Sequence, residues 1–245
     1  MACAPRHPMN KFTELLIIIF IVLLPLGSLL YPEQSLSQDV YTFSVNWQFT
    51  VFQAILSCFF IYRAQSLFRT TFFSKNSCTE NNKKATLGDT TNSGFFHKGL
   101  WAFVALIALL QLSYGLNLGA KKLGYPAINV ILPPLNLSLV ISLAIAALWE
   151  EVLYRWYGPL VFYHVYDALY KHTKDKKPWQ KVLVLFTEIF FCLIFALAHL
   201  HEGIPGTVNA FVSALILRYT VYKTSSFIPG FIAHYVYNLI QFALL

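Results

Sequence analysis

The sequence predicts an all-α fold, a polytopic membrane helical bundle of about seven to eight transmembrane helices, each needing about twenty apolar residues to cross hydrocarbon. Three observations predict it. Of 245 residues 57% are hydrophobic and only 12% charged, whereas soluble domains carry about a quarter charged residues. The apolar residues gather in runs long enough to span a bilayer. The basic residues segregate by loop, which accounts for the net charge of +7 by membrane orientation and leaves no basic face for nucleic acid.

Spans can be drawn at Phe12 to Tyr31, Trp47 to Tyr62, Leu100 to Leu118, Leu135 to Leu169, Trp179 to Leu200, Thr207 to Tyr222 and Phe227 to Leu245, the fourth long enough to count as two. The first is long for a signal-peptide core and lacks a convincing small-residue cleavage site, so it is expected to be retained. Arg6 and Lys11 precede it; Arg63, Arg69, Lys75, Lys83, Lys84 and Lys98 lie between the second and third spans; Lys171, Lys174, Lys176, Lys177 and Lys181 separate the fourth from the fifth. All three groups fall on one side if the N-terminus is cytoplasmic, with Lys121 and Lys122 opposite.

The polar stretch near 74–94, Ser74 to Gly94, has no apolar periodicity and reads as a loop. It lies within an N-terminal unit, 1–128, of transmembrane helices without a motif; a C-terminal unit, 129–245, holds every candidate site. Pro133-Pro134 are tolerated only at a helix start, so the fourth helix should begin near Leu135. Lys176-Lys177-Pro178, Gly203-Ile204-Pro205-Gly206 and Ser225 to Gly230 separate the later helices. There is no internal repeat. Cys3, Cys58, Cys78 and Cys192 show no Cys-x-x-Cys spacing and read as small apolar fillers.

Inside these apolar spans stand Glu150, Glu151 and Arg155, then His199 following Phe195, then His234 with Asn238. Ionisable residues in such segments mark function by default. Glu151 and Arg155 are four apart on one helical face and can pair, carboxylate first. Glu150 lies about 100° round the helix, without that partner. If the fourth and fifth helices form a hairpin turning near Lys174 and Asp175, Glu150 and His199 each lie about 24 residues from the turn, at similar depth. His234 reaches that depth only if the hairpin projects some ten residues past the bilayer, with Tyr163 to Lys174 outside it and Glu188 near the interface. The plain structural reading is a neutralised Glu151–Arg155 pair with interhelical hydrogen bonds from the histidines and Asn238. It leaves Glu150 in hydrocarbon at a cost of several kcal/mol. Near imidazoles, such a carboxylate suits general-base work.

These residues read Glu150-Glu151-Val-Leu-Tyr-Arg155, Phe195-Ala-Leu-Ala-His199 and His234-Tyr-Val-Tyr-Asn238. In that order, on separate helices, they resemble the Glu-Glu-x-x-x-Arg, Phe-x-x-x-His and His-x-x-x-Asn motifs of the type II CAAX prenyl endopeptidase, or CPBP (Abi), family of intramembrane glutamate proteases. The resemblance covers Asn129 to Leu245. It implies an active site inside the bundle that hydrolyses peptide bonds of membrane-associated or prenylated substrates with a water nucleophile. Glu150 would be the base, His199 would hold the water, and His234 and Asn238 would donate to the oxyanion, with Glu151 and Arg155 in support. No metal cofactor is then needed. The alternative is zinc on Glu150, His199 and His234, which are able ligands, although His-Glu-x-x-His is missing.

The partners implied are the lipid bilayer and a peptide or lipidated protein. The membrane would be the plasma membrane of a prokaryote or the endoplasmic reticulum of a eukaryote. Rival readings are a bacteriocin-immunity or signalling protease of the same family, a non-catalytic scaffold, and a transporter or proton relay; the last is opposed by the lack of an inverted repeat. His97, His164 and His172 are expected in loops or at interfaces. Tyr154, Trp156, Tyr157, Trp47 and Trp179 read as boundary anchors, and His201 and Glu202 as a loop beside His199.

Overall fold

The computed structural model describes residues 13, 16–17, 20, 41–42, 45–76, 91–125, 130–131, 135–163 and 177–244. Within them the chain is helical, apart from turns and a two-residue parallel pairing of Tyr41–Thr42 with Val130–Ile131. The helices are α1 (Trp47–Asn76), α2 (Thr91–Lys122), α3 (Leu137–Glu150), α4 (Lys177–Ala198), α5 (Gly203–Thr224) and α6 (Ile228–Leu244). Six α-helices are thus seen among the described residues where seven to eight were expected. Most of the first expected span, the turn at Lys174 and Asp175, Pro133-Pro134, His164 and His172 lie outside the described residues, as does the expected projection from 164 onward.

Among the described residues three segments are long and apolar enough to cross a membrane: Gly94–Lys122, Leu137–Tyr163 and Leu200–Thr224. Val182–Ala198 is a shorter apolar helix. The second expected span is a helix, but it is not among those three. Three of its polar residues, Thr50, Gln53 and Ser57, face inward, while Gln48 is exposed. Thr50 and Ser57 turn their hydroxyls onto the carbonyls of Asn46 and Gln53, which satisfies them within the helix. The polar stretch expected from Ser74 to Gly94 is narrower than drawn, because α1 runs on to Asn76 and α2 begins at Thr91. His97 lies in α2 and not in a loop, exposed and accepting from Trp101 Nε1 at 3.0 Å.

Local chemistry sets the ends. Asn46 and Asn136 accept the amides of Phe49 and Leu139 and start α1 and α3. Lys121 and Lys122 close α2 where its dipole favours cations. Between α4 and α5 the break is made at Gly203, whose φ of 78° suits a residue without Cβ. Pro205 sits in the first turn of α5, where its missing N–H is not needed. Ser225, at φ 50°, ends α5, and the Ser226 hydroxyl caps Ile228.

The chain does not stop at Glu150. It winds on through a π-helical turn, Glu151–Tyr157, and returns to α-helix as far as residue 163. The amide of Gly158 donates to the carbonyl of Leu153, five residues back. The sequence supplies a reason for the wider turn. Pro159 has no N–H, and in a regular helix its ring would collide with the carbonyl of Arg155. Widening the turn relieves that collision, as in other single-turn π-bulges.

The bundle packs around this turn. α1 lies against α3 and the π-turn, α4 against α5, and α2 against both α5 and α6, while α3 also meets α6. Phe60 of α1 stacks on Tyr157 at 4.5 Å and on Trp149 at 5.7 Å. These belong to the main core with Val152, Leu153, Phe191 and Phe195. Tyr154 and Tyr157, expected as boundary anchors, are instead buried core residues, because the π-turn faces helices on several sides. Trp156 is partly buried and stacks on Phe227, and Trp47 opens α1 exposed. The large apolar residues left outside, such as Phe95, Phe96, Leu185 and Phe186, are those a lipid-facing surface requires.

Candidate active site

The junction of α3 with the π-turn delivers two adjacent carboxylates, Glu150 and Glu151, to α6. Glu151 is fully buried, and its Oε1 lies 3.0 Å from His234 Nδ1 and 3.5 Å from Arg155 Nη1. A carboxylate only accepts, so with Glu151 ionised the hydrogen sits on Nδ1 and points at it. The other ring nitrogen, Nε2, then faces Glu150 Oε2 at 3.6 Å. Glu150 keeps 23% of its side chain exposed, against 0% for Glu151. One carboxylate is enclosed and the other opens outward. The pairing of Glu151 with Arg155 expected from their spacing is present, and Glu150, which has no such partner on its own helix, finds one across the bundle.

Arg155 is itself buried. Its guanidinium carbon sits 3.7 Å above the Phe195 ring, and Nη1 also reaches the carbonyl of Glu150 at 3.4 Å. A desolvated cation over an aromatic face can contribute about 2 kcal/mol. Phe195 is the hub of the site. Its ring centre lies 4.4 Å from that of His199, 6.4 Å from that of His234 and 5.4 Å from that of Tyr154.

His199 ends α4 with φ −100° and ψ 12°, in the sparsely allowed bridge region that active-site residues often occupy. Its Nδ1 lies 2.9 Å from the carbonyl of Phe195. That carbonyl can only accept, so Nδ1 donates, and in the neutral ring Nε2 then keeps a lone pair that could accept a hydrogen. Asn238 is half-buried one turn beyond His234. Among the described residues neither His199 nor Asn238 hydrogen-bonds to the Glu150–Glu151–His234 cluster. His199 joins it through Phe195, and Asn238 through its place on α6.

Two further contacts hold α6 in register: Tyr235 donates to the carbonyl of Val140 on α3, and Asn209 of α5 donates to the Tyr237 hydroxyl. Gly230 lets α6 approach Glu151, since a Cβ there would come within 2.9 Å of Oε2. His201 and Glu202 form an exposed 3₁₀ turn outside the cluster. Cys58 and Cys192 are free thiols. Among the described residues no group of three or more His, Cys, Asp or Glu side chains converges as metal ligands would.

The structure also assembles a polar group that the sequence pattern does not single out. Arg218 of α5 clasps Glu188 of α4 with Nε and Nη2, the latter at 2.6 Å, and Tyr163 donates to the same carboxylate at 2.7 Å. Arg218 Nη1 donates to the carbonyl of Arg155. The signal was present in the sequence, for Arg218 is a lone cation within the apolar run Thr207 to Tyr222.

Comparison with curated proteins and with solved structures gave no match. Residues 133–240 match the model of a protein family described as type II CAAX prenyl endopeptidase Rce1-like. The matched stretch contains Glu150, Glu151, Arg155, His199, His234 and Asn238. Over residues 133–240 the chain is therefore similar to the Rce1-like type II CAAX prenyl endopeptidases, a family of proteases.

Proposed function

We propose that the chain is a multi-pass intramembrane endopeptidase that cleaves prenylated, CAAX-type or other membrane-associated peptides with a water activated by Glu150, without a metal. The observation that carries this reading is the His234 imidazole held between two carboxylates, bound to Glu151 on one side and facing the more open Glu150 on the other.

Glu150 takes a proton from water while the water oxygen attacks the scissile carbonyl carbon. The Nε2 lone pair of His199 accepts the other water hydrogen and orients the nucleophile. His234, held between the two carboxylates as the doubly protonated ring throughout, gives Nδ1–H to Glu151 and turns its Nε2–H from Glu150 to the new oxyanion, which the Asn238 amide also bonds. Collapse breaks the C–N bond, and the proton on Glu150 passes to the leaving nitrogen. Oxyanion donors act where charge develops, and each is typically worth about 3 to 4 kcal/mol. Glu151 and Arg155 hold His234 and the π-turn in place.

The test uses the full chain purified in detergent with a quenched peptide that ends in a farnesylated cysteine and three residues. The wild type is expected to cleave it, and Glu150→Ala and His199→Ala to lose about 100-fold or more. A strong chelator should leave the wild-type rate unchanged; loss of cleavage with chelator, restored by zinc, would replace the metal-free mechanism. Equal cleavage by wild type and both variants would overturn the assignment. Proton flux in liposomes with no cleavage would support a relay.

A further inference from the structure

We propose that the Arg218–Glu188 pair is a positioning device for the catalytic centre: Arg218 donates a hydrogen bond to the Arg155 carbonyl, and so fixes the π-turn that follows Glu150 and carries Glu151 to His234. The inference rests on reading Glu150 and His234 as the reacting pair.

Pro159 has no N–H to contribute to the backbone bonding of the π-turn that precedes it. In a desolvated bundle a donor that reaches the backbone of such a widened turn has high value. Arg218 provides it from α5 through Nη1. Its remaining fork is engaged: Nε and Nη2 hold the two oxygens of Glu188 on α4, and Tyr163, just beyond the π-turn, braces Glu188 from the other side. One guanidinium therefore ties α4 and α5 to the backbone of the turn.

The residue whose carbonyl is held this way is also the residue whose side chain pairs with Glu151, and Glu151 holds His234. A shift of the turn would move Arg155 first, then Glu151, then the ring that faces Glu150. Arginine suits this task better than lysine, because a planar fork can bind a carboxylate bidentately and still present a third donor in fixed geometry. Charged groups within apolar helices are expensive and seldom kept without function. Neither Arg218 nor Glu188 touches the reacting groups, so their effect on chemistry is through the turn.

The experiment compares wild type with Arg218→Lys and with the double variant Glu188→Leu/Arg218→Met. The double variant leaves no unpaired charge, which protects folding; Arg218→Lys is the milder change if it does not. Two readouts are taken on the full chain in detergent: kcat and KM for the farnesylated peptide, and the ¹⁵N resonances of His234, assigned with His234→Gln.

Loosening the turn is expected to lower kcat by about 10- to 100-fold with KM within about twofold, since small misplacements act on the chemical step. The hydrogen-bonded Nδ1 signal of His234 should move as its contact with Glu151 weakens. Wild-type kcat in either variant, or an unmoved His234 signal, would overturn the proposal. If wild type cleaves nothing, the protease reading fails by itself, and the His234 resonance alone decides whether Arg218 positions the turn.

Discussion

His234 Nδ1 lies 3.0 Å from Glu151 Oε1, joining residues 83 positions apart in sequence. This bond fixes the plane of the ring and turns Nε2 toward Glu150, 3.6 Å away. Two neighbouring carboxylates thereby acquire different surroundings. Glu151 is enclosed with Arg155 and His234, and Glu150 faces the partly open side where a water and a substrate could meet.

The two glutamates should therefore fail differently. Glu151→Gln leaves the buried Arg155 cation without its counter-ion, and removal of one member of a buried pair typically costs about 3–5 kcal/mol. Glu150→Gln should change stability by less than about 1 kcal/mol while abolishing cleavage. Thermal unfolding of both variants in one detergent, alongside peptide cleavage, checks this. Equal destabilisation would contradict the division of roles.

Much of the site was legible because membrane segments offer few polar residues to choose among. The spacing of Glu151 and Arg155 predicts their pair, and the three polar motifs on three apolar helices predict that they meet. Glu150 does meet His234, but the course of the chain beyond it was not legible. Helical periodicity assumes a constant turn, and the π-turn beginning at Glu151 changes the helical phase of the residues beyond it. Gly158-Pro159 carried a hint of it, since a proline there removes a donor within a continuing helix. Arg218 and Glu188 were missed because each stands alone in its own helix, and only packing of α4 on α5 makes them a pair. Helix ends were drawn short for α1 and α2, where amphiphilic residues extend a helix without extending its apolar run.

Asn238 has a free side chain among the described residues, so its removal should cost little stability. Asn238→Ala is expected to lower kcat by about 10²–10³, the usual loss for an oxyanion donor. KM should stay near the wild-type value, because the bond forms only as charge develops. Steady-state kinetics with the farnesylated peptide measures both. A rise in KM with kcat intact would make Asn238 a substrate-binding residue instead.

Gly230 is the point where α6 passes Glu151. A methyl group there would lie 2.9 Å from Oε2, so α6 or the carboxylate must shift. Gly230→Ala should destabilise by about 1–3 kcal/mol, as overpacking does, and reduce cleavage by displacing His234. Unfolding temperature and rate together test this; an unchanged rate would show that the His234–Glu151 contact tolerates movement of α6.

The central claim is that Glu150 activates water and does not itself attack the peptide. A single turnover in H₂¹⁸O, with enzyme in excess of the farnesylated peptide, tests it most directly. One ¹⁸O is expected in the newly formed carboxyl of the product, none in the Glu150 carboxylate, and no cleavage by Glu150→Gln. Label appearing in Glu150, or undiminished cleavage by Glu150→Gln, would contradict it.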